Sequence, residues 1–160
     1  MKPLILLIGG INSGKSTIIS SLTGCPSHNF RELVRDRSTG RQIYVISSSP
    51  QEDSLSQGEL DQILETVHRR RRVIGLVISI QPTYPRTRLS LENIIQTVQV
   101  NSHFTIFAFI LDPPYSSDGS IDLTDTINRL ASFGVVSRYL DGRRFAYLNA
   151  SDIRQIVGVP

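Results

Sequence analysis

Nine consecutive residues near the start of the chain have the types and spacing needed to hold a polyphosphate: Gly9, Gly10, Ile11, Asn12, Ser13, Gly14, Lys15, Ser16 and Thr17. They satisfy G-x-x-x-x-G-K-[ST] at every fixed position. Gly9 and Gly14 permit the backbone turns that aim successive N–H groups at an anion. A helix starting just after Gly14 adds its unpaired first-turn N–H groups and its positive dipole end. Lys15 can then bridge β- and γ-phosphates, the Ser16 hydroxyl can ligate Mg²⁺, and Thr17 can reach the α-phosphate. An ordinary glycine-rich turn could show the same letters, so the flanking elements decide between the two readings.

Those elements fit. Residues 4–8, Leu-Ile-Leu-Leu-Ile, form a wholly apolar run, as expected of a strand buried on both faces. Residues 15–24 read as a helix with Ile18, Ile19 and Leu22 on one stripe and Gly24 as its stop. Residues 30–36 and 41–47 read as an antiparallel hairpin about the turn Arg37-Ser38-Thr39-Gly40. Ser56 and Glu59 have capping-box spacing ahead of Leu60, Ile63, Leu64 and Val67. Strands are expected at 73–80 and 104–111, and helices around Leu91 to Val98 and Leu123 to Ala131. Near the end, 135–140 and 143–148 flank Asp141-Gly142, a favoured two-residue hairpin turn, and 151–157 reads as a short closing helix. The hairpin also has the look of a DNA-binding wing carrying Arg143 and Arg144, but a final pair of sheet strands fits the alternation better. Alternating strands and helices with no repeat or linker predict one domain over residues 1–160, a three-layer α/β sandwich with a mostly parallel sheet.

At these residues the chain resembles the phosphate-loop NTPase superfamily, and within it the Ras-like GTPases. Asn12 to Thr17 looks like their phosphate loop, and the hairpin after the first helix is similar to their second and third strands. The resemblance implies binding of ATP or GTP with Mg²⁺ and hydrolysis of the terminal phosphate. Several family features are absent. Ser47-Ser48-Ser49-Pro50-Gln51-Glu52-Asp53 stands where the family has Asp-x-x-Gly, and residues 25–29 are short for a first switch. No Asn-Lys-x-Asp follows residue 111, and Asn149-Ala150-Ser151-Asp152 keeps only its outer residues, being closer to the family's backbone contact loop. No strong preference for guanine over adenine is expected.

A second acidic group would assist the metal or polarise water. Asp112 ends an apolar strand in the manner of a Walker B acid, though it equally suits a cap on the Pro113-Pro114 turn. Glu52 and Asp53 rank slightly ahead, because their loop follows the hairpin strand expected beside the first strand. His68-Arg69-Arg70-Arg71-Arg72 is the densest charge run. It complements a helix C-terminus, and it could also meet nucleic acid, an acidic partner or a neighbouring subunit's nucleotide. His28, His68, His103 and Cys25 lack zinc-ligand spacing, and Cys25 beside Pro26 suits a turn or core thiol.

Hydrophobic residues make up 39% of the 160, enough for a core, which argues against disorder. One cysteine excludes an intrachain disulfide framework, and the opening apolar run is too short to span a membrane, so a cytoplasmic protein is expected. Seventeen basic against 14 acidic residues give a net charge of +3, too mild to name a partner; Lys2 and Lys15 are the only lysines. The sequence therefore predicts a nucleoside-triphosphate-binding protein, a Mg²⁺-dependent NTPase of slow turnover. The alternatives are a small-molecule kinase and a non-hydrolysing switch or nucleic-acid-associated subunit, with a protein partner or homo-oligomer possible for each.

Overall fold

The computed structural model describes residues 1–26, 29–50, 54–82 and 89–159. Six strands form one sheet: β1 (Lys2–Ile8), β2 (Arg31–Arg35), β3 (Gln42–Ile46), β4 (Val73–Ile80), β5 (Phe104–Leu111) and β6 (Ser137–Leu140). Their order is β2-β3-β4-β1-β5-β6, and only the β2–β3 pair is antiparallel. Helices α1 (Lys15–Thr23) and α5 (Ala146–Val157) cover one face. Helices α2 (Gln57–Arg69), α3 (Leu91–Val100) and α4 (Leu123–Ser132) cover the other. This is the expected three-layer α/β sandwich.

Strand β1 shows why its sequence is apolar throughout. Leu4, Leu6 and Ile8 enter the core beneath α2, α3 and α4, while Ile5 and Leu7 enter the core beneath α1 and α5. Both faces are dry, so no alternation survives. The capping box forms as expected: Ser56 Oγ accepts from the Glu59 N–H, and the Glu59 carboxylate accepts from the Ser56 N–H. Such a cap contributes about 1 kcal/mol. Ser90 and Asn93 build a second one on α3.

Two expectations are corrected. The hairpin strand β3 is not beside β1; β4 lies between them, pairing with β3 on one side and β1 on the other. The second departure is the terminal hairpin. Strand β6 pairs parallel with β5, from Ala108↔Ser137 to Leu111↔Leu140, and residues 143–148 form no returning strand. The Asp141 carboxylate accepts from the Arg143 N–H at 2.9 Å and the Arg144 N–H bonds the Asp141 carbonyl at 3.1 Å, turning the chain into α5. Helix α5 starts at Ala146, earlier than expected, with Ala146, Asn149, Ala150, Ile153 and Val157 at helical spacing toward α1. This removes the wing, and it places Asn149 and Asp152 in a helix rather than a contact loop.

One polar clamp joins the elements on the α2–α4 face. Arg129 on α4 donates from Nε and Nη2 to the Glu92 carboxylate on α3, and from Nη1 to the Pro82 carbonyl just past β4 at 2.9 Å. The bidentate guanidinium holds the Glu92 carboxyl down to about 2. A depressed carboxyl pKa stabilises the fold above the unfolded value near 4.5, and that stability is lost as pH falls toward 2. Glu92→Gln is expected to cost about 1 kcal/mol at pH 7 in denaturant unfolding. It should also flatten the acid limb between these two pH values; the part that remains belongs to the other lowered carboxyls, Asp36, held at about 2 by Thr39 and Ser38, and Asp141, lowered by its hydrogen bonds from Arg143.

Candidate phosphate-binding site

The parallel strands deliver their carboxyl ends to one rim of the sheet, and the loop between β1 and α1 crosses that rim. It is anchored on three sides by backbone bonds. The Gly9 N–H bonds the Ile80 carbonyl at 3.0 Å, the Gly10 N–H bonds the Gly119 carbonyl at 3.1 Å, and the Tyr115 N–H bonds the Ser13 carbonyl at 3.1 Å. Asn12 and Gly14 have positive φ, 55° and 98°, which is the turn that sends the chain into α1. Among the described residues no acceptor meets the N–H groups of Ser13, Gly14, Ser16 or Thr17. These amides and the start of α1 have the donor chemistry that an anion cradle requires.

Lys15 is more enclosed than its ligand-facing role suggests, at 7% exposure. Its Nζ donates to the carbonyls of Gly9 at 2.8 Å and Gly10 at 2.6 Å, and contacts Ser13 Oγ at 3.3 Å. The ammonium is thus held by the loop it serves, and its position needs no ligand.

In front of the loop lies a cavity of about 140 Å³ whose far wall consists of Asn29, Ser47, Ser48 and Ser79. Ser16 lines the near side with Lys15. Ser79 near the end of β4 and Gln81 just past it, both buried, reach this rim because β4 is the neighbour of β1. Neither was singled out from the sequence, although a serine within the apolar run 73–80 was a legible signal. Mg²⁺ takes oxygen ligands and keeps several waters and phosphate oxygens. The hydroxyls of Ser16 and Ser79 fit that demand as neutral ligands, while the Ser47 hydroxyl is bonded to the Phe30 backbone and that of Ser48 to Asn29; the described wall contains no carboxylate. Glu52 and Asp53 lie outside the described residues. Asp112 is exposed, donates its N–H to the Leu140 carbonyl, and lines neither this cavity nor the adjoining groove.

That groove, about 450 Å³, opens from Gly14 and Thr17 between Tyr115 and the loop that leaves β6. Its walls carry Arg143, Arg144 and Phe145. Tyr115 and Phe145 are 70% and 71% exposed, so neither aromatic serves the core. The nearby carboxylates are engaged: Asp141 by Arg143, and Asp152 by Arg144 at 2.8 Å. Asp118 sits in an exposed 3-10 turn and does not line the groove. The buried Asn149 fixes the β6 end by donating from Nδ2 to the Asp141 carbonyl at 2.9 Å.

No protein-family model matches the chain, and no curated protein matches it. Among solved structures, the G-domain of FeoB from Methanococcus jannaschii is similar, at 20% identity over 98% of each chain with a TM-score of 0.44.

The three loops meet without room for side chains. A Cβ on Gly142 would lie 2.8 Å from the Ser13 carbonyl oxygen and 2.8 Å from the Tyr115 nitrogen; one on Gly119 would lie 2.8 Å from the Ser13 Cα. Gly142→Ala is expected to cost about 1–3 kcal/mol of stability in denaturant unfolding, because backbone cannot yield as a flexible side chain can. Gly58→Ala, in the first turn of α2 with nothing within 4 Å, should be neutral or stabilising by up to about 1 kcal/mol.

Proposed function

We propose that the chain binds a nucleoside triphosphate with its phosphates against residues 9–17, and that it is an NTPase of slow intrinsic turnover. The observation that carries this reading is the prefixed Lys15 ammonium, bonded to the Gly9 and Gly10 carbonyls beside a run of inward loop amides. In this reading Lys15 and the loop N–H groups bind the β- and γ-phosphates, and they stabilise the charge that grows on them during transfer to water. Ser16 would hold Mg²⁺ with help from the facing Ser79 hydroxyl, and the metal, when bound, would neutralise phosphate oxygens. Thr17 faces the groove entrance, where an α-phosphate would pass.

Among the described residues, the wall chemistry supports slow turnover. Serine hydroxyls at pH 7 are poor bases, so they orient water without activating it. The same described wall, hydroxyls and the Asn29 amide, favours as the second reading a module that binds nucleotide without turnover. Asp53, Glu52 and Asp112 remain the acids proposed to assist if turnover occurs.

Lys15→Ala should weaken ATP and GTP binding at least tenfold, about 1.4 kcal/mol, by calorimetry. A folded Lys15→Ala variant with unchanged affinity overturns the assignment. Lys15→Arg, which keeps the charge but not the shape, separates loss of ligand contact from loss of loop structure. Partner-free phosphate release in Mg²⁺ should stay below about 1 s⁻¹.

For the base, we propose that the groove holds it by stacking on Tyr115 and the flanking arginine planes, since the lining offers no carboxylate to pair with the guanine ring N–H and amino group. ATP and GTP should then compete within about tenfold of one another. A hundredfold GTP advantage, about 2.7 kcal/mol, would reveal a guanine-reading group. Tyr115→Ala should weaken both nucleotides alike, by about 1–3 kcal/mol.

A further inference from the structure

The opposite rim of the sheet carries charge that the nucleotide reading does not use. Strands β1, β3, β4 and β5 begin there, at Lys2, Gln42, Val73 and Phe104, and β2 ends there with Arg35 opposite Gln42. The topology therefore gathers the α2–β4 turn, bearing Arg69 to Arg72, beside the hairpin turn, bearing Arg35, Arg37 and Arg41. The Gln42 N–H bonds the Arg72 carbonyl at 2.8 Å, which fixes the two turns to each other. Among the described residues the acids at this rim are Asp36 and Glu65. Asp36 is engaged by Ser38 and Thr39, and Glu65 pairs only Arg69, at 2.6 Å. Most of the other described acids sit at or near the phosphate-loop rim, in the loops after β5 and β6 and the first turns of α2, α3 and α4.

Helix-end electrostatics does not account for this cluster. The carbonyls at the end of α2 already have a cation: Lys2 Nζ donates to Val67, to His68 at 3.3 Å and to Arg70 at 2.8 Å. Arg70 is the helix cap residue, Arg71 and Arg72 lie beyond it, and all three are exposed. The hairpin arginines follow no helix at all. Beside them the imidazoles of His68 and His103 stack at 3.7 Å and 10°, both exposed. Desolvation, with the positive neighbours, lowers the pKa of the His68 imidazole and so disfavours its charged form. On the other side of the rim a groove of about 440 Å³ has Arg41 and Arg154 on its walls and Leu22, Val34 and Ile43 on its apolar surface.

We propose that this rim binds single-stranded nucleic acid, with the arginines along the phosphates and the histidine stack and apolar groove receiving bases. Planar guanidinium groups match phosphate oxygens two at a time. Flat rings beside a cationic track are the chemistry that holds unpaired bases, which stack regardless of sequence. A duplex keeps its bases stacked inside and would meet the arginines alone.

The test is fluorescence anisotropy of the full chain with labelled oligouridylate and oligodeoxythymidylate of roughly 20 nucleotides, across a salt series. Binding is expected for at least one strand, tighter than for a duplex of equal length, and weakening steeply with salt. The Arg70→Ala, Arg71→Ala, Arg72→Ala triple variant should lose at least tenfold in affinity and reduce the salt slope by about 2. Its melting temperature and nucleotide affinity should stay unchanged, because these exposed side chains lie at the rim away from residues 9–17. Arg37→Ala with Arg41→Ala should weaken binding too, which a purely local effect on α2 would not do. Absence of binding at about 50 mM salt, equal affinity for duplex, or an unchanged triple variant would each overturn the proposal. So would capture by anionic phosphatidylserine vesicles without binding of either oligonucleotide.

Discussion

The glycine-rich loop between β1 and α1 depends on three stretches of backbone lying closer together than side chains allow. Ser13 is their meeting point: its carbonyl accepts from the Tyr115 N–H, and its hydroxyl is in reach of Lys15. A Cβ on Gly9 would stand 2.5 Å from Ser13 Oγ, and one on Gly10 would stand 2.8 Å from the Gly119 carbonyl. Two of these glycines belong to the motif and two, Gly119 and Gly142, come from distant loops. The shape of the cradle is therefore set by backbone contact, and Lys15 is locked into it by the carbonyls of Gly9 and Gly10. A site fixed in this way has little reorganisation to undergo when charge arrives.

Where local chemistry determines structure, the sequence was legible. The strands at 73–80 and 104–111 and the cap at Ser56 are found where periodicity and capping place them. What could not be read was spatial order. Nothing local tells β4 rather than β3 to lie beside β1, since both are apolar and both suit a parallel neighbour. That choice brings Ser79 to the cavity in front of residues 12–16, and it puts one more strand between β1 and the strand that leads to Glu52 and Asp53. The terminal segment failed for a different reason. Asp141-Gly142 carries a hairpin signal, but the aspartate turns the chain through its own carboxylate and the glycine is required by contact with Ser13 and Tyr115.

The two rims of the sheet are electrically unlike. The rim that carries residues 9–17 also carries acids such as Asp112, Asp118, Asp141 and Glu59, so a polyphosphate bound there would have to be attracted by short-range donors. Loop amides, Lys15 and the flanking Arg143 and Arg144 supply them. The far rim reverses this balance, with arginines that outnumber the described acids beside them.

Distance keeps these two environments independent. A strand of seven residues such as β1 spans about 23 Å, while charges in physiological salt are screened over about 8 Å. The positive field of the far rim therefore hardly reaches residues 9–17, and the acids near that loop hardly reach the far rim. Any communication between the two would have to pass through the packed strands. β1 is the direct route, because it carries Lys2 at one end and runs into Gly9 at the other, buried on both faces between them. A strand packed that tightly transmits displacement rather than charge, so coupling of the rims would be mechanical and would require β1 or its neighbours to shift as a unit.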